Sequence, residues 1–140
     1  MNLFHPVKIG SLSLDGNIFL APVAGYSDRS FRSICIEKGA CFTYTEMVSA
    51  EALVRKNEKT EVLMQRASNE KKYSVQIFGG NPDVMAEAAQ IVFCKTSCEC
   101  IDINAGCPVP KIIKTGAGSF LTKEFLQLGK IVRAVKNSVQ

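Results

Sequence analysis

A chain of 140 residues, 46% hydrophobic and 21% charged, has the composition of one soluble globular domain with a modest core. No apolar run approaches the ~18 residues of a membrane span, and the N-terminus MNLFHPVKIG lacks the continuous apolar stretch of a secretory signal, so a cytoplasmic location without membrane association is expected. Of 17 basic and 13 acidic side chains, residues 107–140 hold six basic ones (Lys111, Lys114, Lys123, Lys130, Arg133 and Lys136) against Glu124 alone, so the net charge of +4 comes from that part.

Taken in order, residues 7–21 contain two short apolar runs around Asp15-Gly16, a turn signal that predicts a small hairpin ahead of a first core strand at 18–21. After the small-residue loop 22–26, Ser27 is placed as a helix N-cap with Asp28 in the first turn. Phe31, Ile34, Cys35 and Lys38 recur at helical spacing, and Gly39 ends the helix. Residues 41–45 are aromatic and β-branched and predict a second strand, followed by a polar helical stretch over 49–64 in two pieces. The run YSVQIF at 73–78 is the third strand, and Asn81-Pro82 opens a third helix with Val84, Ala88, Ile91 and Val92 inward. A fourth strand at 100–103, a long loop over 107–121 and a fourth helix over 123–138, with Phe125, Leu128, Val132 and Val135 inward, complete the series.

Strands alternating with helices predict an α/β fold with right-handed crossovers and a parallel sheet, either doubly wound or part of a barrel. A complete barrel needs ~250 residues. In the barrel case the expectation is therefore the first half, four strands and four helices, of a TIM (β/α)8 barrel with a short N-terminal β-hairpin. Its unpaired edges would favour self-association.

The stretch CIDINAGCP at 100–108 attracts most of the chemistry. Ile101 and Ile103 should face one way and Cys100, Asp102 and Asn104 the other, which puts Asn104 and Cys107 at the strand's carboxyl end, where parallel sheets bind ligands. An ordinary thiol has a pKa of ~8.5 and can act as a proton donor at neutral pH, although a lone cysteine in a loop also reads as structural. Gln76, polar within an apolar strand, could meet a heterocycle that alternates N–H and C=O, such as uracil or a flavin; a satisfied core glutamine explains it equally well. The loop 21–25 would let backbone approach a flat ligand, as would any short βα turn. Gly116-Ala117-Gly118-Ser119 lacks the spacing of a nucleotide fingerprint and is discounted as a phosphate cradle. Cys35, Cys41, Cys94, Cys98, Cys100 and Cys107 are expected to be reduced thiols. With no CxxC pair and His5 as the single histidine, neither a metal site nor a His-based triad is expected. The basic excess after Asn104 suits a polyanion such as RNA, or simply a solvated helix face.

Together, LAPVAGYSDRSFR, YTEMVSAEAL, VQIFGGNP and DINAGCPVPKIIKTGAGSFL closely resemble the flavin-dependent tRNA-dihydrouridine synthases, most of all the bacterial B-type branch, in register from about residue 5 onward. The resemblance implies an FMN-binding barrel followed by a helical RNA-binding domain. Reduced flavin gives a hydride to C6 of a tRNA uracil, the loop cysteine protonates C5, and NADPH regenerates the flavin. It implies Cys107 as the acid, Asn104 as a uracil contact, Pro22, Val23 and Ala24 lining the flavin mainly by backbone, Gln76 bonded to its ring, and Lys111 and Lys114 facing tRNA. Val23 departs from the family's usual methionine. The fifth-strand lysine, the phosphate-binding loops and the helical domain have no counterpart in residues 1–140. The expectation is thus an N-terminal half that binds FMN weakly and is inactive alone. Alternatives are a non-catalytic half-barrel that self-associates or binds RNA, and another FMN-barrel pyrimidine oxidoreductase such as a dihydropyrimidine or dihydroorotate dehydrogenase.

Overall fold

The computed structural model describes residues 3–139. Strands β1 (Val7–Ile9) and β2 (Leu12–Leu14) form an antiparallel hairpin, as expected, but its turn is Gly10-Ser11 and not Asp15-Gly16. Gly10 takes φ +58° in the first central position of a two-residue loop, where such hairpins need glycine. This register pairs Val7 with Leu14, which is buried, and leaves Asp15-Gly16 as the link to β3 (Phe19–Leu20).

The main sheet is parallel. β3 pairs with β4 (Phe42–Tyr44), β4 with β6 (Tyr73–Phe78), and β6 with β7 (Cys100–Ile103). A two-residue strand that the sequence does not announce, β5 (Val48–Ser49), pairs with Ile77 and Phe78 further along the edge of β6 that β4 occupies. β4 and β5 are one line interrupted at 45–47. There the Thr45 N–H donates to the Ser74 carbonyl while its hydroxyl accepts the Gln76 N–H at 3.1 Å, replacing a ladder carbonyl. The order across the sheet therefore follows the order along the chain. A doubly wound sheet would reverse it at a switch point. Sequential winding of parallel βα units is that of the first half of a TIM barrel.

Helices alternate with these strands. α1 (Arg29–Glu37) starts one residue later than the sequence suggests, with Asp28 as the N-cap accepting the Phe31 N–H at 2.8 Å. Ser27 is unavailable because its hydroxyl is bonded to the Val23 N–H and carbonyl. The stretch 49–64 does fold in two pieces, α2 (Ala50–Val54) capped by Ser49 and α3 (Glu58–Val62) capped by Asn57, broken where Lys56 adopts φ +57°. α4 (Pro82–Lys95) opens on the Asn81 cap with Pro82 in the first turn. The expected loop 107–121 is more ordered than its composition suggests, holding α5 (Pro110–Ile113) and a 3-10 turn, Gly118–Thr122, before α6 (Phe125–Ser138).

The core lies around β6, whose residues Tyr73 to Ile77 are all buried, as befits a central parallel strand covered on both faces. α4 presents Met85, Ala88, Ala89 and Val92 to it at helical spacing, with Val84 and Ile91 at the margin. α6 packs through Leu128, Ile131 and Val135, whereas Phe125 and Val132 are 70% and 46% exposed. A stripe at i, i+3 and i+7 is narrower than the one the sequence suggests, because it meets α4 and the 3-10 turn and not a broad sheet face. Under α1, Arg32 and Glu70 form a buried ion pair at 2.7 Å. No described helix is long and apolar enough to cross a membrane.

Candidate active site

Register brings Gln76 on β6 opposite Asp102 on β7. Gln76 Nε2 donates to Asp102 Oδ2 at 2.5 Å, and its Oε1 accepts from Asn104 Nδ2 at 3.0 Å. Asn104 Oδ1 in turn accepts the backbone N–H groups of Gly106 at 3.2 Å and Cys107 at 3.0 Å, an Asx turn that folds the loop back over the strand end. The Asn104 N–H extends the ladder to the Ile77 carbonyl. A carboxylate, two amides and a loop N–H thus form one hydrogen-bonded run from β7 through β6 to the cysteine. Asp102 is the member that the sequence did not single out; its signal is the shared face of Cys100, Asp102 and Asn104.

Asp102 also sets the local electrostatics. Burial, then the Asp102 charge, then Cys100, push the Tyr44 hydroxyl above its ordinary range. The Cys100 thiol is raised by burial and further by Asp102 and Cys98, against a hydrogen bond with Ser74 that lowers it. Both groups stay neutral at neutral pH.

The loop after β3 is held from two sides. Val23 N–H bonds Ser27 Oγ at 2.9 Å, and the Val23 carbonyl accepts from the backbone N–H of Tyr26 and Ser27 and from the Ser27 hydroxyl. Glu46, projecting from the break between β4 and β5, accepts the Gly25 N–H at 2.5 Å. Both polar backbone groups of Val23 are therefore used within the loop. Val23 is 45% exposed and meets its surroundings through its side chain.

These elements enclose a cavity of about 360 Å³ lined by Pro22, Val23, Ala24, Met47, Gln76, Asn104, Gly106, Cys107 and Val109. Six of the residues singled out from sequence meet here: Pro22, Val23, Ala24, Gln76, Asn104 and Cys107. Lys111 and Lys114 do not; they are exposed on α5 and at its C-cap. The walls are largely apolar, with amide edges and one thiol, and no cationic side chain or histidine lines them. Volume and lining suit a flat heterocycle. Gln76 keeps a second N–H and a second lone pair for such a ring, and Asn104 keeps one N–H.

The chain is 61% identical over 137 residues to the probable tRNA-dihydrouridine synthase of Treponema pallidum (strain Nichols), covering 98% of this chain and 40% of the relative. It is 39% and 41% identical over 133 residues to the proteins named tRNA-dihydrouridine synthase B of Vibrio parahaemolyticus and Pasteurella multocida, covering 95% of this chain and 41% and 39% of theirs. The chain thus spans about two fifths of the length of these curated relatives. The model of the family described as Dihydrouridine synthase (Dus) matches residues 19–140, from the first core strand through α6, and the chain belongs to that family.

Proposed function

We propose that these residues form the catalytic N-terminal part of a flavin-dependent tRNA-dihydrouridine synthase. The observation that carries this reading is the hydrogen-bonded run from Asp102 through Gln76 and Asn104 to the Cys107 N–H, whose Gln76, Asn104 and Cys107 line one cavity with the loop 22–24 in a member of the dihydrouridine synthase family. The cavity fits the ring of FMN and not its phosphate, because no cation lines it. When bound, the reduced flavin, restored by NADPH, would supply the hydride for C6 of a tRNA uracil. Pro22, Val23 and Ala24 would form the apolar wall against the ring, and Gln76 would bond its polar edge. Asn104 would hold the base while the Cys107 thiol gives its proton to C5. Lys111 and Lys114, exposed beside the cavity loop, would bind tRNA phosphates. Since a stacked base is out of reach of such a cavity, the target uridine must leave its stack to enter.

In the described residues β3 and β7 each pair on one side only. We therefore infer that these 140 residues alone bind FMN weakly and do not turn over. The test joins this chain to the C-terminal remainder of the Treponema pallidum relative. The expected chimera is yellow, absorbs between 350 and 500 nm as a flavoprotein, and forms dihydrouridine in unmodified tRNA with NADPH; a folded chimera that does neither overturns the reading. Stoichiometric FMN or turnover in the unextended chain would overturn the inference of inactivity.

Two smaller effects follow in the chimera. Gln76→Leu removes one ring contact and breaks the run to Asn104, so FMN should dissociate about tenfold more readily, read as released flavin fluorescence. Replacing Lys111 and Lys114 together by Ala should weaken tRNA binding and lower the slope of log K against log salt by about 1.5. An unchanged slope would remove both lysines from the tRNA face.

A further inference from the structure

The 3-10 turn Gly118–Thr122 closes against the backbone of the Cys107 loop. Ser119 N–H donates to the Cys107 carbonyl at 2.9 Å. A β-carbon at position 118 would lie 2.5 Å from that same carbonyl oxygen, 3.3 Å from Cys107 Cβ and 3.0 Å from Ile112 Cγ2. Gly118 is itself buried and adopts φ +62°. The turn cannot slide away to make room. Leu121, at its far end, is fully buried in the main core, and Ala117, before it, is equally buried. The preceding backbone is pinned by the loop after β6, where a side chain at Gly80 would strike the Thr115 and Gly116 carbonyls at 2.6 and 2.7 Å, and Gln127 of α6 donates to the Gly80 carbonyl at 2.9 Å.

We propose that Gly118 is a positioning residue for Cys107. By lacking a side chain it lets the 118–119 backbone hold the cysteine carbonyl, and so fixes where the thiol sits in the cavity. The catalytic part of this proposal rests on the reading of Cys107 as the acid. Asn104 grips the cysteine through its N–H and Ser119 through its carbonyl, so the residue is clamped at both backbone polar groups. A clamp of this kind leaves the side chain one position relative to the ring contacts.

Gly116 supplies a matched control two residues away. It has φ +73°, so Gly116→Ala carries a similar backbone strain, but the nearest atom to its β-carbon is Gly80 Cα at 4.0 Å and none belongs to Cys107. The experiment compares Gly118→Ala with Gly116→Ala in the full 140-residue chain, reading iodoacetamide modification of Cys107 by peptide mass, normalised to the exposed Cys94. The expected result is that Cys107 reacts about fivefold or more faster in Gly118→Ala and unchanged in Gly116→Ala. Equal reactivity in the two variants overturns the proposal. If Gly118→Ala does not fold, amide exchange of Ser119 in the unsubstituted chain reads the same clamp: protection like that of the α4 amides supports it, and exchange at the rate of an exposed loop overturns it. In the chimera, kcat on tRNA should fall about a hundredfold in Gly118→Ala alone, with KM for tRNA and NADPH-driven flavin reduction little changed. Equal kcat in both variants likewise overturns the proposal. Full activity in Cys107→Ala would instead overturn the reading of the cysteine, an outcome that the labelling arm keeps separate.

Discussion

Cys107→Ala in the chimera should lower dihydrouridine formation by about 10²–10⁴, the usual contribution of a positioned general acid, while the protein stays yellow and NADPH still bleaches it. The split follows from the geometry. Cys107 lines the cavity beside Asn104 and Val109, whereas the proposed flavin contacts are the separate loop 22–24 and Gln76. The thiol is half-buried in a loop, so its truncation leaves no core cavity and stability should move by less than about 0.5 kcal/mol. Cys107→Ser keeps the size and the backbone clamp but substitutes a far weaker acid, and should stay nearly as impaired. Turnover retained within threefold in either variant would assign the proton to another donor.

The second large effect concerns folding. Arg32 and Glu70 are 1% and 0% exposed, and Arg32 donates Nε to Glu70 Oε1 at 2.7 Å. The rest of the pair is also satisfied. Arg32 reaches the Ser27 and Gln65 carbonyls, and Glu70 accepts the Thr43 hydroxyl and the Ala67 N–H. Glu70→Ala would strand a buried guanidinium and should destabilise by about 3–5 kcal/mol, a large fraction of the 5–15 kcal/mol of an ordinary domain. The same network makes stability acid-sensitive. Burial alone raises the Glu70 carboxyl, but hydrogen bonds from Arg32, Thr43 and Ala67 and the Arg32 charge outweigh it and hold the carboxyl below its ordinary range. With the folded value below the unfolded one of ~4.3, the stabilisation is present above that pH and is lost as pH falls through the folded value. Thermal melts from pH 7 to 3 should therefore show a steeper acid loss in the parent than in Glu70→Gln, which starts less stable and has no proton to take up at this site. Parallel curves would show that the pair does not carry the acid dependence.

β6, β7 and the start of α4 were legible to the residue because their signals are local: an apolar run bounded by turns, and an Asn-Pro start followed by helical spacing. The errors arose where packing overrode a local signal. Asp15-Gly16 reads as the hairpin turn, but the chain turns at Gly10-Ser11, which sets a register with Leu14 inside. Ser27 reads as the cap with Asp28 in the first turn, but Ser27 is already engaged by Val23 and Asp28 caps the helix. β5 is too short to have a pattern; it exists because β6 offers it an edge. At the site, six positions singled out by residue pattern and family resemblance together line one cavity. The part of Asp102 did not emerge, because its partner Gln76 is 26 residues away and is fixed only by the register between two strands.

The Asx turn at Asn104 has a consequence for which ring edge the cavity can accept. Both lone pairs of Oδ1 are filled by the loop N–H groups of Gly106 and Cys107, and one Nδ2 hydrogen is given to Gln76. What remains for a ligand is a single donor, which can meet a carbonyl and has nothing to offer an amino group. Rotating the amide to reverse that preference would break two hydrogen bonds of the cysteine loop and one to Gln76. Under the proposed function that donor can meet the O4 carbonyl of uracil, where the N4 amino group of cytosine would offer it no acceptor.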